Sequence, residues 1–198
     1  MFQIEAREYR ILWLGAHAYW ALYEDGRLIG ELHGLATDRK SGAARAIGSR
    51  RDQLKAWVFS SDGAASQHTS TRRGLSGFYH PGQPSRIVCE SNGVDALRRW
   101  ERVLVAAEAL NDAHIEYRVS GGAGDDITTG NSNSAWRTFA DVMGVQPVKL
   151  GAWLRPGDDK NVLPRETYAG LYDASVETCS LSGQPVGISR EQRPSQAA

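Results

Sequence analysis

Two runs rich in aromatic and aliphatic residues, 17–23 and 27–33, flank Glu24-Asp25-Gly26. This is the strongest constraint in the chain. Alternating runs on either side of an Asp-Gly read as a β-hairpin. Two turns compete: a two-residue Asp25-Gly26 loop, or a three-residue loop with Gly26 in the left-handed region. Side-chain alternation arbitrates. A three-residue loop sets Ala18 against Leu32, Trp20 against Gly30 and Leu22 against Leu28, an apolar face throughout. The other face then carries His17 against His33, Tyr19 against Glu31, Ala21 against Ile29 and Tyr23 against Arg27. A two-residue loop slips the register by one and mixes the faces. The three-residue loop is therefore expected, with both histidines directly opposed on one face.

Other elements follow from period and punctuation. Residues 8–14, 54–60, 86–89 and 115–119 read as strands. Residues 94–111 read as a helix on the stripe Leu97, Trp100, Leu104, Ala107 and Leu110. Trp136, Phe139, Ala140 and Met143 give a second helix over 132–143, which Gly144 stops. Residues 36–52 and 61–85 read as loops. The second of these, rich in Ser, Gly and Pro, is expected at the surface as a rim or a protein-partner surface. Residues 146–166 are broken by Pro147, Pro156 and Pro164. The fold class is α+β: an antiparallel sheet with two main helices packed on it. Residues 1–182 form one domain, and 183–198 read as a disordered tail.

The start of the second helix is the most chemical stretch. A polar, glycine-rich run, Ser120 to Thr129, leads into Gly130-Asn131-Ser132-Asn133-Ser134. Free backbone N–H groups and the positive end of the helix dipole meet at such a start. Small polar residues there either cap the helix or present a nucleophile whose oxyanion the same donors would hold. A serine hydroxyl needs a base within hydrogen-bond reach, and a histidine supplies one near neutral pH. Ser132 or Ser134 with His17, oriented by His33 or Glu31, is the chemistry these residues permit.

Charge and cysteine content narrow the partners. Lys+Arg and Asp+Glu are both 23, so no cationic excess exists to neutralise phosphates, and nucleic acid is excluded as the main partner. Cys89 and Cys179 lie far apart, with no cysteine at ligand spacing, so neither a disulfide framework nor a metal site is expected. Gly121-Gly122-Ala123-Gly124 lacks the ending of a phosphate loop, and no cofactor is expected. No run approaches the ~20 apolar residues that span a bilayer, and the N-terminus does not read as a secretory signal. A soluble chain made in the cytoplasm, exported if at all by a leaderless route, is expected.

The order of these pieces resembles the circularly permuted papain-like hydrolases, including lecithin retinol acyltransferase-like proteins and relatives of NlpC-type amidases. The residues carrying the likeness are His17-Ala18-Tyr19-Trp20-Ala21-Leu22-Tyr23, then Glu31-Leu32-His33-Gly34-Leu35, then Asn131-Ser132 at a helix start. They cover roughly 15–35 and 120–144. Serine stands where the family has cysteine. A cysteine there gains from the helix N-terminus and a histidine, whereas serine depends on the base. The resemblance implies Ser132 as nucleophile, His17 as general base, His33 as orienting group and the Ser132 N–H in an oxyanion hole. It further implies hydrolysis or acyl transfer at an amide or ester of a peptide, a cell-wall peptide or an acyl lipid, as in a bacterial effector or toxin. The rival is a catalytically inactive binding module on the same fold, with Ser132 only capping.

Overall fold

A computed structural model describes residues 1–11, 15–45, 47–61, 71–73, 76–121 and 127–170. The tail expected over 183–198 lies outside them, as do residues 12–14 of the strand expected over 8–14 and much of the loop expected over 61–85. Among the described residues nine strands form one sheet: β1 (Phe2–Ile11), β2 (Gly15–Glu24), β3 (Arg27–Asp38), β4 (Ala44–Arg45), β5 (Asp52–Ser60), β6 (Thr71–Arg73), β7 (Ser85–Ser91), β8 (Glu116–Tyr117) and β9 (Thr129–Gly130). The same described residues hold three helices: α1 (Asp95–Asp112), α2 (Ser132–Met143) and the short α3 (Arg165–Ala169). The class is α+β. The sheet is mixed rather than wholly antiparallel. Its path is β7-β1-β2-β3-β5-β8-β9, with β4 beside β3 and β6 beside β5, and the β5–β6 and β8–β9 pairs are parallel.

The β2–β3 hairpin forms with a turn other than the one expected. Glu24 pairs with Arg27, so Asp25-Gly26 is a two-residue loop. Both residues have positive φ, 49° and 78°, as a type I′ turn requires. The register then shifts between Leu22 and Tyr23: Tyr23 pairs with Leu28, but Leu22 pairs with Gly30 and Trp20 with Leu32. One extra residue in β3, a β-bulge, cancels the slip that the shorter turn introduces. The faces stay unmixed for that reason, although the partners differ from those expected. Glu31 opposes Ala21, not Tyr19.

One face of the sheet is apolar and carries the helices. Ile4, Ala6, Ala18, Trp20, Leu32, Leu54, Ala56 and Val58 pack there against Trp100, Val103, Leu110, Trp136 and Phe139. Trp20 and Trp136 stack at 5.1 Å, and the Trp20 indole donates to the Trp136 carbonyl at 3.1 Å. A Cβ on Gly34 would sit 2.4 Å from the Ala135 Cβ, so the absent side chain lets α2 press onto β3. Arg99 of α1 donates to the Met143 carbonyl at 2.6 Å and pairs with Asp95 at 2.9 Å. A cation thus meets the negative end of α2. The opposite face holds Tyr19, Ala21 and Tyr23, with Tyr9, Leu28, Phe78 and Tyr79 packed against them.

Candidate functional site

The first turn of α2 divides its four small polar residues among distinct tasks. Asn131 is the cap. Its backbone is extended (φ −140°), and its side-chain oxygen accepts from the N–H groups of Asn133 and Ser134 at 2.9 and 3.0 Å. Its amide nitrogen donates to the carbonyls of Val119 and Pro156 at 2.9 and 2.8 Å, tying in two loops. The Ser134 hydroxyl accepts from the Asn131 N–H at 2.7 Å and so closes a capping box. Asn133 reaches the sheet: it accepts from the Ala18 N–H and donates to the Ala16 carbonyl, both at 3.1 Å. These side chains are consumed by structure.

Ser132 is left over, at the first helical position rather than the cap. Its hydroxyl is hydrogen-bonded to the Tyr117 phenol, whose pKa burial raises. Among the described residues no acceptor is paired with its N–H. Ser132, Asn131, Asn133 and Tyr117 line a hollow of about 50 Å³, whose other walls include Gly15, Ala16, Pro156, Ile47 and Val119. Ile47 and Val119 are exposed, at 44% and 53%. Tyr117 reaches this place because β8 pairs in parallel with β9, setting Tyr117 beside Gly130.

The histidines come together elsewhere. His17 Nε2 lies 2.8 Å from His33 Nδ1, and His33 Nε2 lies 2.9 Å from Glu31 Oε2. The Tyr19 ring stacks on His33 at 4.4 Å, and Phe78 lies 5.2 Å from each histidine. All three members of the chain are at most 1% exposed. Burial holds His17 well below its ordinary pKa, and the neighbouring His33 adds to the effect. Burial lowers His33 as well, against the opposing pull of Glu31. Glu31 is pushed up by burial but pulled further down by hydrogen bonds from His33 and Ser76, so it stays ionised.

Ser132 and His17 project from opposite faces. Ala18 and Trp20 turn to α2, so His17 and Tyr19 turn away, by the two-residue period of a strand. Likewise Gly34 faces Ser132, with its Cβ position 3.4 Å from the Ser132 Cα, so its neighbour His33 faces away. The expected His17–His33–Glu31 cluster forms; the expected pairing of His17 with Ser132 or Ser134 does not. A hairpin can put both histidines on one face, but it cannot choose the face to which a distant helix docks.

Tyr117, Asn133 and Ser76 escaped sequence reasoning as participants. Asn133 sat in the motif without a role, and Tyr117 was one residue of a short strand. Comparison of the chain with protein-family models, with curated proteins and with solved structures found no match. Among the described residues, no helix is long and apolar enough to cross a membrane.

Proposed function

We propose that this chain is a catalytically silent binding module, with its recognition site at the N-terminus of α2. The carrying observation is the separation just described: each half of the expected serine–histidine pair has a different partner on a different face. Without a base the Ser132 hydroxyl is a weak nucleophile. Its N–H, the Tyr117 phenol and the helix dipole remain able to bind a carbonyl or carboxylate oxygen. At about 50 Å³ the hollow takes one small polar group. The rest of a ligand would lie over Ile47 and Val119. An acyl chain ending in a carboxylate, or a peptide with an apolar C-terminal residue, has that form.

A second reading keeps the hydrolase or acyltransferase, acting on an amide or ester as an exported effector would. The observation favouring it is that a serine hydroxyl, its own unpaired N–H and a phenol frame the same hollow. One pair of measurements separates the two. Under the binding reading, octanoate shifts the amide resonance of Ser132, and a fluorophosphonate probe labels wild type no more than Ser132→Ala. Labelling that Ser132→Ala abolishes would replace the first reading with the second. Neither a shift nor labelling would remove both.

A further inference from the structure

The second face of the sheet carries chemistry that the α2 hollow does not use. The Ser76 N–H donates to Glu31 Oε1 at 3.1 Å, and the Ser76 hydroxyl donates to Glu31 Oε2. With the His33 and His17 contacts this makes one chain: Ser76, Glu31, His33, His17. An ionised carboxylate only accepts, so the His33 proton is on Nε2, its Nδ1 accepts, and the His17 proton is on Nε2 as well. One added proton can be absorbed: His33 becomes the cation, and His17 moves its own proton to Nδ1. A second added proton sets N–H against N–H across 2.8 Å. A proton on Glu31 sets a donor against Ser76 and His33.

Residues 76–84 lie over this chain. Ser76 is bonded to Glu31, and the Phe78 ring covers both histidines. The far end is tied to the neighbouring strands. Tyr19 donates to Gln83 at 2.8 Å, Arg7 to the His80 carbonyl at 3.3 Å and the Glu8 N–H to the Pro84 carbonyl at 3.0 Å. Ser76 and Phe78 also wall a cavity of about 420 Å³ whose other lining includes Leu35, Trp57 and Phe59. The same nine residues therefore latch the relay, cover it and close it off from the cavity.

We infer that residues 76–84 are an acid-released strap, latched to Glu31 at neutral pH and lifted when the buried histidine pair takes up a second proton. Lifting exposes His17 and His33 and joins them to the cavity. Other titratable and charged groups face the pair from the elements packed around it. Arg7 is offset by Glu5 at 2.6 Å. Burial raises Tyr19 and Tyr23, which keeps both neutral. Tyr9, Tyr79 and the exposed His80 lie around the strap, and His80→Gln should leave the pH dependence in place. From β5, Trp57 and Phe59 bring no charge, and Arg45 of β4, which also lines the cavity, is paired with Asp38 and Asp52. The inference is independent of any ligand at α2.

Hydrogen exchange of the whole chain tests it at about pH 7.5 and about pH 5, either side of the ordinary histidine range, with rates corrected for intrinsic exchange. The Ser76, Phe78 and His80 amides, each bonded at present, should lose protection by up to about tenfold per pH unit for each proton taken up. Amides of α1 should keep theirs. Ser76→Ala should expose the strap at both pH values and shrink the difference between them. Gln83→Ala removes the Tyr19 tether and the side chain's bonds to the His80 amide and the Phe78 carbonyl but leaves the Ser76–Glu31 latch in place, so the Ser76 and Phe78 amides should lose protection yet keep their pH dependence. Unchanged strap protection at the lower pH would overturn the inference. So would loss of strap and α1 protection together, or a Ser76→Ala strap as protected and as pH-dependent as the wild type.

Discussion

Asn131 and Ser132 are adjacent, yet very different amounts of structure depend on them. Asn131 caps two helix amides and anchors two loop carbonyls. Loss of a cap alone costs about 0.5–2 kcal/mol, and two stranded carbonyls add to it. Asn131→Ala is expected to lower unfolding free energy by at least about 2 kcal/mol. Ser132→Ala forfeits one bond to Tyr117 and should cost about 1 kcal/mol or less. Urea titration of both variants checks the order; equal losses would mean that Ser132 carries the cap. This much of the site was half legible. A polar run before an apolar stripe announces a helix start. Which residue becomes the cap depends on where the backbone turns from extended to helical, and a shift of one residue exchanges a cap for a hydroxyl that caps nothing and bonds a neighbouring phenol instead. Tyr117 was not legible at all, because its place depends on strand pairing across a polar connection.

At the scale of elements, the hairpin shows what alternation can and cannot report. Alternation fixes parity. It assigned His17, Tyr19, Glu31 and His33 to one face, and the cluster formed there. It does not fix partners, because a three-residue loop and a two-residue loop with a bulge preserve the same parity. The tighter turn demands positive φ at two successive positions, and Asp25 and Gly26 meet that demand. No neighbour lies within 4 Å of a Cβ at Gly26, so a substitution there tests conformation alone. Gly26→Ala should cost roughly 1–2 kcal/mol. Gly26→Asn should cost less, since asparagine enters the left-handed region more readily. Thermal unfolding of the two variants reads this, and equal melting temperatures would count against the I′ turn. β3 ran to Asp38, past the expected boundary at His33, because Leu35 and Ala36 are buried against their neighbours despite the small-residue composition that follows.

The molecule as a whole sets two buried titrations of opposite sign on the two faces of its sheet. On the second face, His17 and His33 are held neutral, below their ordinary pKa. The unfolded chain therefore binds more protons below about pH 6.5, and that contribution to stability falls as pH drops through this range. On the helix face, Glu8 is 1% exposed, and neither carboxylate oxygen has a well-formed hydrogen bond. Arg155 Nε is 3.8 Å away and shared with Asp158 at 3.2 Å. Burial raises the Glu8 pKa more than Arg155 and the Gly151 N–H lower it. Here the folded state holds the proton more tightly. Stability is lost as pH rises from the ordinary value of 4.5 through the raised one. Glu8→Gln keeps the shape and removes the charge, so it should stabilise the protein near neutral pH by roughly 1 kcal/mol. The gain should shrink as pH approaches 4.5 and vanish below it, where the native carboxyl is neutral too. Urea unfolding of both proteins across that range reads the difference directly. A glutamine variant less stable at neutral pH would show that the Glu8–Arg155 attraction outweighs burial. A gain that does not change with pH would show that the carboxyl is not the titrating group.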